Sequence, residues 1–306
     1  KTTTARALGL LLAASGLKVG VYTSPHLSSY CERYELNGKP VNANKLVAAA
    51  KEVKKAQAKV EVKGKRSITQ FEFLTALALV LFAQEQVNVA VLEAGMGAKW
   101  DATTVALAEV GVLTNVSYDH LDFLGPTLAD IAKEKAYVIR RANKVVVGKV
   151  VPALKLIFTK RAEQEKSRLF WENKDFDYNL NKQLQVKGLY SSYSLPLKLK
   201  GDWQAGNVAK AVVAAELLLK KPLSQNAVAS LVNFSAPGRA EEMIIGQTKI
   251  LLDGAHNVAG VKRLLNWLNS YRQTKVFVVS IMADKQVKEM LKLLLNDKQT
   301  EKLILT

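Results

Sequence analysis

Apolar positions along this chain alternate between helical spacing and short continuous runs. Ala7, Leu8, Leu10, Leu11 and Leu12 give a helix pattern that stops at Ser15-Gly16, and Val19-Gly20-Val21-Tyr22 follows as a buried-strand run. A polar loop, 23–43, leads to a helix expected over 44–58, with Asn44 as cap for a face of Leu46, Val47 and Ala50. A long helix from Phe71 to Gln86 precedes the strand Val89-Ala90-Val91-Leu92-Glu93, and a Gly95-Met96-Gly97 turn comes next. Gly111 to Asn115 reads as a strand, 127–141 as a helix and 144–147 as another strand. This β-α-β alternation predicts a mostly parallel sheet covered by helices.

The pattern changes at 168–200, where Leu195, Leu197 and Leu199 alternate as in antiparallel strands. A helix over 203–219 follows, with apolar positions at 208, 211, 212, 215 and 218. Ser235-Ala236-Pro237-Gly238 is a turn signal and the expected domain boundary, dividing the chain into 1–236 and 237–306. Beyond it, strand 249–253, helix 258–270, strand 275–281, helix 286–295 and strand 302–305 begin a second, smaller Rossmann-like α/β unit. The second sheet ends without edge cover, so a truncated domain is expected.

Composition narrows the class. With 49% hydrophobic and 23% charged residues among 306, the chain is an ordinary globular protein of one large or two smaller domains. No apolar run reaches the ~18 residues of a membrane span, and none resembles a signal peptide. The single Cys31 excludes an internal disulfide and fits a reducing cytoplasm. A net charge of +17 suits nucleic acid, an anionic small molecule or merely a lysine-rich surface. The lysines are dispersed, without arginine blocks or interleaved aromatics, so a nucleic-acid partner is not expected. A monomer is expected.

The chain opens on Lys1-Thr2-Thr3-Thr4 at a helix start with a strand next, the way a phosphate-binding P-loop ends. Thr is also an ordinary helix N-cap, and the glycines of such a loop do not precede Lys1, so a segment of a longer chain is expected. The three histidines, His26, His120 and His256, each follow a predicted strand, where open α/β sheets bind ligands. If strands 19–22, 89–92 and 111–115 are neighbours, Ser24, Glu93 and His120 converge beside the helix headed by Lys1. Hydroxyls, a carboxylate and a lysine there are the parts of a Mg-nucleotide site. An imidazole is the least usual ligand for so hard an ion.

Several motifs then occur in order: Tyr22-Thr23-Ser24-Pro25-His26-Leu27, Phe71-Glu72-Phe73-Leu74-Thr75, Leu92-Glu93-Ala94-Gly95-Met96-Gly97 with Asp101-Ala102-Thr103, and Asp119-His120. Ile131-Ala132-Lys133-Glu134-Lys135, Gly201-Asp202-Trp203-Gln204 with Asn207, Pro237-Gly238-Arg239, and Asp253-Gly254-Ala255-His256-Asn257 complete them. Together they resemble the folylpolyglutamate synthase/dihydrofolate synthase family of the Mur ligase superfamily, along essentially the whole chain. The resemblance implies a P-loop-type domain like the central domain of Mur ligases over 1–236, followed by the start of a glutamate-ligase domain over 237–306. It implies an ATP-dependent ligase that joins L-glutamate to a folate or pteroate through an acyl phosphate, with ATP and two Mg²⁺ ions.

By position, the resemblance places Lys1 on the β/γ-phosphates and Thr3, with Thr2 adjacent, at Mg²⁺. Ser24, Glu93 and His120 match metal positions, and Lys135 matches a lysine whose carbamylated form helps to hold a second ion. Gln204, Asn207 and Arg239 match nucleotide contacts, while Asp253 and His256 face the nucleotide and the incoming glutamate. Ser24, Pro25 and His26 border the pterin. The chain departs from the family at Gly97-Ala98-Lys99, where Gly-Gly-Arg is usual, and at Thr104, where Asn is usual. Two further readings follow: a Mur-type cell-wall ligase, suggested by Lys1-Thr2-Thr3, and a diverged non-catalytic homologue, suggested by Ala98 and Lys99.

Overall fold

The computed structural model describes residues 1–61, 67–195, 197 and 201–306. Helix α1 (Thr2–Ala14) packs its Ala5, Ala7, Leu8, Leu11 and Leu12 face inward. Strand β1 (Val19–Tyr22) is buried at every position, which suits a central strand. Strands β2 (Tyr34–Leu36) and β3 (Lys39–Pro40) follow, then helices α2 (Ala43–Glu61) and α3 (Gln70–Gln84), then β4 (Val89–Leu92). The sheet order is β3-β2-β1-β4, with β1 parallel to β4 and antiparallel to β2. Thr69 and Glu72 form a reciprocal capping box that sets the start of α3. The cap that starts α2 is Asn42, whose side chain accepts from the Asn44 amide, in place of the expected Asn44.

Strand β5 (Val110–Leu113), short helix α4 (Leu121–Leu124), helix α5 (Leu128–Lys135), strand β6 (Lys144–Val147), helix α6 (Pro152–Glu165) and strand β7 (Arg168–Trp171) come next. They build a separate parallel sheet, β5-β6-β7. Two expectations change here. β5 does not pair with β1 or β4, although those two are neighbours as expected. The helix of 127–141 ends at Lys135, where a short 3-10 turn takes over. Residues 168–171 also depart from the antiparallel expectation, because α6 supplies a crossover and parallel strands need one. Its apolar face is only Leu154, Phe158 and Ala162, too sparse to signal a helix, although Pro152 stands at its start.

Strands β8 (Asp177–Leu180), β9 (Leu184–Lys187) and β10 (Ser192–Leu195) form the expected antiparallel sheet; Leu197 is buried beside it, and Leu199 lies outside the described residues. Helix α7 (Asp202–Leu219) is buried nearly all round and short helix α8 (Gln225–Ala229) follows. Small side chains, Ala205, Gly206, Ala209, Ala211, Ala214 and Ala215, let its neighbours approach closely. One core joins α1 and α7 to β1, β4, β5 and β6, so the two parallel sheets share an interior without sharing a ladder. The two charges α7 buries are both met. Lys210 pairs with Glu172 at 2.8 Å, and Glu216 accepts from the Tyr193 hydroxyl and from the amides of Leu189, Tyr190 and Ser191.

The second unit begins with a hairpin, β11 (Glu241–Ile245) and β12 (Thr248–Leu252), turned at Gly246 with φ 61°. Strand β11 was not expected, and it pairs with β12 in place of the neighbouring parallel strand. Helix α9 (Val258–Leu268), strand β13 (Lys275–Val279), helix α10 (Val287–Leu295) and strand β14 (Thr300–Leu305) complete the fold, with β13 parallel to β14. Val261, Leu265, Met290 and Leu294 form a separate core for this unit.

At Gly20 a Cβ atom would lie 2.5 Å from the Phe82 ring. Gly20→Val is therefore expected to destabilise the protein by about 1–3 kcal/mol through overpacking. Urea denaturation should show a lowered midpoint with an unchanged slope.

Candidate functional site

The parallel pairing of β1 with β4 brings Ser24 and Glu93, one just past each strand, to the head of α1. Glu93 is buried at 6% exposure. The Thr2 hydroxyl lies 3.0 and 2.9 Å from its two carboxylate oxygens, and the Ser24 amide donates to Oε2 at 3.3 Å. Lys1 Nζ donates to the Ala94 and Gly95 carbonyls at 2.6 and 2.8 Å, so the exposed ammonium rests on the loop after β4. The hydroxyl that meets Glu93 belongs to Thr2, the neighbour of the Thr3 that the resemblance places at Mg²⁺. Successive helical residues point about 100° apart, and Thr3 is turned inward at 3% exposure. Asp101 fixes the other end of this loop, accepting from the Met96 amide at 3.0 Å.

Helix α7 brings Gln204 and Asn207 to the same end of the unit. Thr4 Oγ1 donates to the Asn207 carbonyl at 3.1 Å, and Asn207 Nδ2 donates to Gln204 Oε1 at 3.2 Å. Lys135 ends α5 and is half-buried. Burial, reinforced by the nearby Lys1 charge, lowers its pKa to about 8. A sizeable share of its amine is therefore neutral and nucleophilic near physiological pH.

His120 adopts a left-handed backbone, φ 51°, at the head of α4. Its Nδ1 lies 3.2 Å from Lys285 Nζ, which can only donate, so that nitrogen carries no proton. Burial lowers the His120 pKa despite the adjacent Asp119. Asp119 is the centre of the contact between the two units. It lies 3.1 Å from His256 Nε2, accepts from Asn257 Nδ2 at 3.1 Å and from Lys285 Nζ at 3.0 Å. Burial alone would raise its pKa, but the His256 and Lys285 hydrogen bonds hold the carboxyl well below the usual range. His256 Nδ1 also lies 2.8 Å from the Gly254 carbonyl, so both ring nitrogens face acceptors. The Asp119 hydrogen bond raises its pKa, against the opposing effect of burial. A cavity of about 280 Å³ opens beside this cluster, lined by Tyr118, Asp119, His120, Asn257, Lys285 and Gln286 among others.

Asp253 accepts from the Ala240 amide at 2.7 Å, and burial raises its pKa. Arg239 Nη1 donates to the Gly238 carbonyl at 3.1 Å, folding the linker tightly over Gly254. Ser24 joins the Ser24-Pro25-His26 loop to Glu93, and His26 at its far end has partners of its own. Arg33 Nε donates to His26 Nδ1 at 2.8 Å, and the His26 ring packs on Tyr30 at 4.4 Å.

His120 is thus joined to Asp119 and Lys285, while the hydrogen bonds of Glu93 are with Thr2 and Ser24. Among the described residues no cluster of three or more His, Cys, Asp or Glu side chains could hold a metal ion. The oxygen donors of Glu93 and Thr2 do fit Mg²⁺, which takes one or two protein ligands and leaves other positions to phosphate and water. Sequence reasoning gave Asp119, Asn257 and Lys285 no role. Asp119 and Lys285 lie in loops at the carboxyl ends of β5 and β13, the same signal that drew attention to the histidines.

Comparison with known proteins gives the family of the chain. Residues 1–215 match the Mur ligase middle domain, and 239–306 match the dihydrofolate synthetase C-terminal domain. The chain resembles the folylpolyglutamate synthase of Mycobacterium tuberculosis complexed with ADP, with a TM-score of 0.89 and 33% identity over 100% of this chain and 71% of that one. The chain belongs to the folylpolyglutamate synthase/dihydrofolate synthase family. A solved structure of a folylpolyglutamate synthase–AMPPCP–folate complex has a TM-score of 0.86 and 30% identity, over 100% of this chain and 84% of that one. The curated dihydrofolate synthase/folylpolyglutamate synthase of M. tuberculosis is 35% identical over 94% of this chain, which spans 64% of that relative's length.

The depressed Asp119 carboxyl has a thermodynamic consequence. Its contribution to stability is complete above an unfolded-state pKa of about 4 and is lost as pH falls toward the lower folded value. Stability measured by urea denaturation should fall less steeply below about pH 4 in Asp119→Asn than in the wild type.

Proposed function

We propose that this protein is an ATP-dependent ligase that joins L-glutamate to a folate, and dihydropteroate to glutamate by the same chemistry. The observation that carries this reading is the contact of Thr2 with buried Glu93 at the N-terminus of α1, beside the Lys1 ammonium. A relative with 33% identity binds ADP and another with 30% identity binds AMPPCP with folate, which supports a nucleotide and a pterin as partners here. The match of 239–306 to a dihydrofolate synthetase domain favours folate over a cell-wall substrate. In this reading 1–236 is the ATP-binding domain and 237–306 belongs to the glutamate-ligating one.

A carboxylate is a poor electrophile, and transfer of the γ-phosphoryl group of ATP converts its oxygen into a leaving group. The amine of glutamate then attacks the carbonyl carbon and phosphate departs. Lys1 and the amides at the head of α1 hold the phosphates by charge and dipole. Glu93 and Thr2 would hold Mg²⁺, which when bound neutralises charge on the transferring phosphoryl group. Gln204, Asn207 and Arg239 hold the nucleotide from two sides, and Asp253 and His256 face it from the second unit. Ser24, Pro25 and His26 border the pterin, where the His26 and Tyr30 rings, tilted 43° to each other, offer aromatic contact. His120 and Lys135 together are the proposed second ion site. Lys135 as an amine offers nothing to a hard cation, but its carbamate would offer oxygen. The protein works as a monomer in the cytoplasm.

The test is an assay of the full-length protein for glutamate-dependent ADP release with tetrahydrofolate, dihydropteroate and UDP-muramyl precursors. Release is expected with a pterin substrate and not with the muramyl ones; no release with either pterin would refute the reading. Lys135 is tested separately. In ¹³C-labelled bicarbonate a carbamate carbon signal is expected for the wild type and not for Lys135→Ala. An unchanged spectrum in the variant would remove Lys135 from this role.

A further inference from the structure

Asp119 has all its acceptor capacity in use. Oδ1 takes the His120 amide at 3.0 Å and Lys285 Nζ at 3.0 Å, while Oδ2 takes Asn257 Nδ2 and His256 Nε2, both at 3.1 Å. A carboxylate has about four lone-pair sites, and here each meets a donor. Three of the donors are side chains of the second unit, from two loops: 256–257 at the head of α9, and 285 just before α10. The fourth comes from the backbone of the neighbouring residue and fixes the direction of the carboxylate. Asn257 is held at both ends, because its Oδ1 accepts from the Gly260 amide at 2.8 Å as the cap of α9. Lys285 is nearly enclosed, with a side-chain exposure of 9%.

The two units are joined covalently through the turn at 235–238, so non-covalent contacts must set their mutual orientation. Trp203 against Trp267, edge to face at 6.0 Å, supplies contact area with tolerant geometry. Asp119 supplies direction.

We propose that Asp119 is a positioning residue that clamps both strand-end loops of the second unit, at His256-Asn257 and at Lys285, onto the first unit in the orientation that ligation requires. The proposal rests on the ligase reading for its kinetic consequence, though not for its geometry. Asparagine at this position offers one oxygen and an NH₂ that would face other donors, so two of the four partners lose their acceptor. Glutamate retains the charge one methylene farther out.

In the full-length protein, Asp119→Asn is expected to lower kcat by on the order of tenfold or more and to raise KM for glutamate. ADP affinity should fall by a smaller factor than kcat, because Lys1, Gln204 and Asn207 keep their places on the first unit while Arg239, Asp253 and His256 loosen with the second. Asp119→Glu should recover part of kcat. Because Asp119 and Lys285 act as a unit, Asp119→Asn combined with Lys285→Met should be no worse than the more damaging single change. Wild-type kcat in Asp119→Asn, or losses that multiply in the double variant, would overturn the clamp.

Hydrogen exchange supplies a readout independent of activity. Amides of 118–124 and 255–262 should exchange faster in Asp119→Asn while those of α7 stay protected; unchanged exchange in both loops would overturn the proposal. A wild-type protein without ligase activity would sink the ligase reading, and the exchange comparison would still decide the clamp.

Discussion

Glu93 is almost out of reach of water, and a carboxyl group so placed has to be met by hydrogen-bond partners. The Thr2 hydroxyl and the Ser24 amide meet it, and they arrive from different segments. Thr2 is there because α1 packs on the sheet with its N-terminus at the carboxyl ends of the strands. Ser24 is there because β1 lies parallel to β4 in register, Tyr22 opposite Leu92. A shift of that ladder by one residue would turn β4 over and carry Glu93 to the wrong face. The candidate phosphate site therefore inherits its precision from a strand pair, and the loops only finish what the ladder sets.

The rest of the first unit serves that arrangement. Helix α7 fills the space between the two parallel sheets and presents Gln204 and Asn207 at the same end as Lys1. Its burial forces Lys210 and Glu216 inward, and each is matched by fixed partners, so the helix has one depth and one rotation. Charges that could have been liabilities act as stops. Across the gap, Asp119 does for the second unit what Glu93 does for the head of α1: one carboxylate collects donors from several segments.

How much of this was legible in the sequence depended on how local each cause was. Strands β4 and β6 and helix α7 were plain because a continuous apolar run or a dense apolar face needs no partner to be recognised. Helix α6 was not, because Leu154, Phe158 and Ala162 make a face only one residue wide. The separation of β5 from β1 and β4 was hidden because strand order is decided by helix packing, which periodicity does not encode. At the site, Glu93 and Lys1 stood out by residue type and position. Thr2 and Thr3 could be told apart only by helix rotation. Asp119 and Lys285 are 166 residues apart, and only the folded chain makes them neighbours.

Helix α7 has a consequence beyond the site. A helix with no free face cannot loosen from one neighbour without losing the others. Its core includes residues of β1, β4, β5, β6 and the antiparallel β8–β10 sheet, so these elements form one cooperative unit with no cheap partial opening. The second unit has its own small core and no such shared helix. The first unit must therefore open as a whole, whereas the second can open by giving up only its own small core.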